Sequence, residues 1–171
     1  MTVVLGIPIP SDDPQFLVAL ALHVAAGLAA VVAGAIAILS VKGHGRHSTA
    51  GTAYFWCLAV IFVTATLLSA MRWTEDWHLF VLGALAFGSG QLGRLAASRH
   101  WDLRIHAALM GTSCIVLLTA FYVDNGPNLP VWRQLPHIAY WTVPAVAGVP
   151  LILWALLRHP LLCVRRQAPS A

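Results

Sequence analysis

The chain has 171 residues, of which 59% are hydrophobic and 9% charged. That balance excludes a soluble globular domain, because too few polar residues remain to clothe one. A net charge of +4 would point a soluble protein toward nucleic acid, but here the basic residues punctuate long uncharged runs, so no nucleic-acid partner is expected.

Five runs without Asp, Glu, Lys or Arg lie at 14–41, 47–71, 77–93, 105–123 and 134–157, the shortest 17 and the longest 28 residues. A bilayer core takes about 20 mostly apolar residues per helix. The expectation is therefore one all-α membrane domain over 1–171, a five-helix transmembrane bundle with spans near 15–41, 49–71, 77–97, 105–123 and 136–158.

In chain order, the N-terminus lacks a basic n-region, and Pro8, Pro10, Asp12 and Asp13 come before the first apolar run. It reads as a short external lead-in, not a secretory signal. Span one carries Ala26, Ala30 and Gly34 four apart, a small-residue stripe that lets another helix approach. After the Gly43–Gly45 turn, span two places Tyr54 and Trp56 near one interface, where amphipathic rings anchor. Trp73 and Trp77 bracket the next loop, and span three holds Gly83, Gly88, Gly90 and Gly93. Span four runs into the longest loop, whose Asn125-Gly126-Pro127 and Leu129-Pro130 pieces mark turns. Span five contains Pro144 and Pro150, which membrane helices accommodate as kinks. The tail from Pro160 is basic, with Arg165 and Arg166 suited to anionic headgroups. Cys57 and Cys114 fall within spans and Cys163 in the tail, a spread that gives no disulfide framework and reads as packing.

The basic residues orient the chain. If the helices alternate, Lys42, Arg46, Arg94, Arg99, Arg104, Arg158, Arg165 and Arg166 share one side, with only Arg72 and Arg133 on the other. Lys and Arg in short loops mark the cytoplasmic side. The expected topology is N-terminus outside and C-terminus inside, in a bacterial inner membrane.

Chemistry rests on the eight histidines. His44, His100 and His159 lie in basic loops and read as solvated. The other five sit in spans or at their ends, where ionisable groups are rare and carry function by default. His23, His78 and His137 lie 19, 16 and 21 residues before an inner-side charge, which sets them at an outer level; His47 and His106 open spans from the inside. Packing would use such residues as interhelical hydrogen-bond partners. Ligation would use their neutral imidazoles as iron ligands. Two per level would hold a haem b near each face, with the span-three glycines leaving room for a macrocycle or serving close packing. Three outer histidines with an open position would also suit a catalytic zinc, Asp124 orienting a ligand or acting as base. No HxxxH or HExxH spacing accompanies them. His23 to His47 and His78 to His106 also trace a faint repeat of a two-helix hairpin, with spacings of 24 and 28.

The segment His47-Ser48-Thr49-Ala50-Gly51-Thr52-Ala53-Tyr54 resembles the H-R-x-x-G-x-x-Y signature of an uncharacterised family of small bacterial multi-pass membrane proteins. His106-Ala107-Ala108-Leu109-Met110 is similar to its H-R-x-W-M motif, and His23 with Gly27 to its first-helix H-x-x-x-G. The resemblance covers residues 17 to 125. Ser48 and Ala107 stand where the motif has arginine and Leu109 where it has tryptophan, while Arg46 and Arg104 lie close by as substitutes. It implies a role for the histidines and no further activity.

Taken together, the expectation is a b-type cytochrome-like protein passing electrons between a quinol or other membrane donor and an outer partner. His47 and His106 would ligate an inner haem, and His23 and His137 an outer one, with His78 the competing outer ligand. A cofactor-free accessory subunit or small permease is the alternative, and a membrane-embedded zinc hydrolase the second. No mid-span acid favours proton-coupled transport. Oligomeric state is left open.

Overall fold

The structure is a computed structural model describing residues 3–4, 7–8, 11–43 and 45–158. A short antiparallel pair, β1 (Val3–Val4) and β2 (Ile7–Pro8), precedes five helices: α1 (Pro14–Leu39), α2 (Arg46–Met71), α3 (Trp73–Ser98), α4 (Leu103–Asn125) and α5 (Ile138–Arg158). Two short 3-10 turns, Gly126–Asn128 and Trp132–Gln134, join α4 to α5. All five helices are long and apolar enough to cross a membrane, so this is a multi-pass integral membrane protein of all-α class. His44 and the tail residues His159, Pro160, Cys163, Arg165 and Arg166 lie outside the described residues.

Side-chain caps set the starts of α1 and α4. Asp13 caps α1, its carboxylate accepting from the Gln15 N–H at 2.7 Å, with Pro14 in the first helical position. Asp102 caps α4 in the same way through Arg104 N–H at 2.9 Å. At the other end of α1, the Lys42 ammonium donates to the carbonyls of Ala37 and Ile38 at 3.2 and 2.7 Å. Helices α2 and α3 are separated by Arg72 alone; α2 begins at Arg46 and α3 at Trp73, three and four residues ahead of the expected spans. Charged side chains at helix ends reach the headgroup region, so a charge does not terminate the helix there. Helix α5 remains continuous through Pro144 and Pro150.

Successive helices pack in sequence order, α1 on α2, α2 on α3, α3 on α4 and α4 on α5. The core gathers Ala30 and Ala33 of α1, Tyr54, Leu58 and Ile61 of α2 and Ala86 of α3, with Met110, Cys114 and Leu117 of α4 against them. The small-residue stripe is used as expected: a Cβ on Gly34 would lie 3.3 Å from the Tyr54 ring. Tyr54 itself departs from expectation. It is 2% exposed, whereas Trp56 is 61% exposed; only Trp56 stays on the outer surface, because residues two apart on a helix face different directions. Helix α5 is held by two reciprocal notches, Ile115 seated over Gly148 and Ile152 over Gly111. Outward faces are apolar, as Val18, Leu22 and Leu28 on α1 and Val146, Leu151 and Leu153 on α5 show, which suits a lipid surround.

Candidate histidine site

The loops joining α1 to α2 and α3 to α4 lie at one end of the bundle, with Lys42, Arg46, Arg94, Arg99 and Arg104; this is the basic end. His47 is the second residue of α2 and His106 the fourth of α4, so both stand in a first turn there. Their rings meet edge to face, with centroids 6.3 Å apart and planes at 81°.

Each ring is anchored by the same device. His47 Nδ1 lies 2.9 Å from the Ala37 carbonyl, and His106 Nδ1 lies 2.8 Å from the Gly93 carbonyl. A carbonyl only accepts, so both Nδ1 atoms carry the hydrogen, and in the neutral rings both Nε2 atoms keep their lone pairs. In each case the acceptor belongs to the last turns of the preceding helix, α1 or α3. The α1–α2 and α3–α4 hairpins thus present two similarly tethered histidines to one another.

Two turns deeper, the Tyr54 hydroxyl meets the Ser113 hydroxyl at 3.0 Å. Ser113 Oγ donates to the Ala86 carbonyl at 2.8 Å, which leaves Tyr54 as donor to Ser113. Tyr54 and Ser113 are 59 residues apart, and so are His47 and His106. Both contacts join the α1–α2 hairpin to the α3–α4 hairpin.

The remaining candidates are dispersed. His23 lies nine residues into α1, roughly 13 Å of helix rise past Pro14. Its Nδ1 is 2.9 Å from Thr64 Oγ1. The Thr64 hydroxyl donates to the carbonyls of Val60 and Ile61, so His23 is the donor of that bond. His78, five residues into α3, lies 6.1 Å from the rings of both Trp77 and Trp141. His137 precedes α5, exposed, with its ring 5.4 Å from Tyr140. Of the three residues expected at an outer level, His23 lies within α1 and His78 within α3, whereas His137 precedes α5. Among the described residues none of the three makes a ring contact with another, and no three His, Cys, Asp or Glu side chains form a group able to hold a metal ion. Asp124 stays exposed, with Asn125 Nδ2 donating to it at 3.2 Å.

Three of the four span-three glycines, Gly83, Gly90 and Gly93, pack against neighbouring side chains. A Cβ on Gly90 would lie 2.8 Å from Leu58 Cδ1, and one on Gly93 would lie 2.9 Å from Met110 Sδ; only Gly88 among the four faces open space. Cys57 and Cys114 pack against the core as thiols. His100, read as solvated, has a structural task as well. It is exposed, but at φ 55° it closes α3, the N–H groups of His100 and Trp101 donating to the carbonyls of Ala97 and Ala96 at 3.3 and 2.9 Å.

Sequence reasoning passed over Ser113 as partner of Tyr54, and the carbonyls of Ala37 and Gly93. The signal was the shared 59-residue offset, which also relates Gly34 to Gly93. Compared with known proteins, the chain matches no protein-family model, no curated protein and no solved structure.

Proposed function

We propose that His47 and His106 together hold one haem b at the basic end of the bundle, making this a b-type cytochrome-like carrier of electrons. The observation that carries the reading is the matched pair of imidazoles, each tethered through Nδ1–H to a carbonyl, with centroids 6.3 Å apart. With Nδ1–H tied to a carbonyl, each neutral ring keeps an Nε2 lone pair that would serve as an iron ligand. The tether fixes each ring's tautomer and orientation, as outer partners of ligating histidines do. Arg104 stands two residues before His106 and would favour acidic groups there. When bound, the haem would supply one-electron chemistry whose potential follows from its ligands and burial.

The reading takes one site rather than two. His23, with His78 or His137, has no comparable pairing to support a second haem. The eight-to-two distribution of basic residues supports an orientation with the basic end cytoplasmic and the N-terminus outside, in a bacterial inner membrane. A quinol in the bilayer or a protein at that face would then be the redox partner.

The test is an absorption spectrum of the purified protein, produced with adequate iron and haem precursor. A Soret band that shifts on dithionite reduction is expected. A colourless, well-folded preparation overturns the reading; stoichiometric zinc would then favour the hydrolase, and no metal the accessory or permease role.

A further inference from the structure

We propose that the α1–α2 face binds one anionic diacyl phospholipid, with a chain in each of two grooves and the phosphate on Arg46. One groove, of about 800 Å³, runs between α1 and α2 over Ala29, Ala33, Ala50 and Ala53, small residues that leave the space between the helices open. The other, of about 700 Å³, follows the far flank of α1 past Val31, Ala35 and Leu39. Val32, Ile36 and Arg46 line both, so the grooves converge on one guanidinium at the basic end.

Length and charge select the occupant. The first groove follows α1 from Leu28 to Ile36, about 12 Å of helix rise, which is most of the ~15 Å that one leaflet of the hydrocarbon core provides. No Asp or Glu lines either groove, and among the described residues the Arg46 side chain has no hydrogen bond or ion pair. An exposed cation beside two apolar channels fits a headgroup phosphate above two acyl chains. A quinone brings a tail without the charge. A second copy of the chain would bring its own basic end alongside, where the one acid, Asp102, already caps α4. The first turn of α2, which follows Gly45 with no side-chain cap, adds open N–H groups beside the guanidinium.

The experiment uses the full chain, delipidated in neutral detergent, with native mass spectrometry counting bound phosphatidylglycerol or phosphatidylcholine of identical acyl chains. One phosphatidylglycerol should be retained, about five-fold tighter than phosphatidylcholine. Arg46→Gln should abolish that preference without lowering the unfolding temperature, and Arg99→Gln, an exposed cation of the same end, should preserve it. Ala53→Leu, which fills the first groove, should weaken both lipids, and single-chain lysophosphatidylglycerol should bind less well than the diacyl form. Equal binding of the two headgroups, a preference that survives Arg46→Gln, or displacement by a quinone as effective as by phosphatidylglycerol would each overturn the proposal. The readout is independent of haem content.

Discussion

The Tyr54 hydroxyl donates to the Ser113 hydroxyl at 3.0 Å across the centre of the bundle, where the two side chains are 2% and 0% exposed. This bond ties one hairpin to the other, and Ser113 passes its own hydrogen to the Ala86 carbonyl of α3. Three helices therefore depend on one two-hydroxyl relay, and lipid offers no competing water for either group.

That relay predicts a coupling. Tyr54→Phe and Ser113→Ala should each cost about 0.6 kcal/mol, with about 1.7 kcal/mol as the upper end for interhelical bonds in membranes. The double variant should cost clearly less than the two added together, since both remove the same bond. Denaturant unfolding in detergent micelles measures the cycle; strict additivity would show that the contact contributes nothing.

Ligation by His47 and His106 makes a sharper demand. Each alanine variant should abolish the haem absorption, and the double variant should lose no more than either alone, because two ligands of one iron act as a unit. His23→Ala, His78→Ala and His137→Ala should leave the spectrum in place. Graded, independent losses at His47 and His106 would defeat the shared-ligand reading even if some haem were bound.

Helix α5 is predicted to respond to a single methyl group. A Cβ on Gly148 would lie 2.5 and 2.7 Å from Ile115 Cγ1 and Cδ1, so Gly148→Ala should cost about 1–3 kcal/mol through overpacking. Ile115→Ala removes the obstructing atoms, and the double variant should regain much of that loss. Comparing the four unfolding midpoints tests it, and a failure to recover stability would place the strain elsewhere.

His100 pays a conformational cost at φ 55° that glycine would not. His100→Gly should therefore stabilise the protein by about 1 kcal/mol, the penalty of a left-handed conformation for an ordinary residue. An unchanged or lower unfolding midpoint would mean that the side chain contributes as much as the backbone loses.

Orientation is open to a direct measurement. A reporter active only outside the cytoplasm should work when inserted within Asn125–Asn128 and fail after Arg99. Activity after Arg99 would reverse the assignment of both ends.

Much of this protein was determined by its sequence alone. Membrane class, five helices and the segregation of basic residues to one end are properties of single segments, because a bilayer tests each run of about 20 residues for its own hydropathy. Even the depth of His47 and His106 followed, since both open a span beside a charged loop. Whether polar side chains meet depends instead on the rotation and tilt of helices that are equally apolar on many faces. Only the tertiary structure could decide that Tyr54 points inward to Ser113 while Trp56 stays outside, that three of the span-three glycines accept neighbouring side chains, and that His23, His78 and His137 go separate ways. It also brought His47 against His106, because that contact requires two hairpins to face each other in a way that no local pattern of hydropathy encodes.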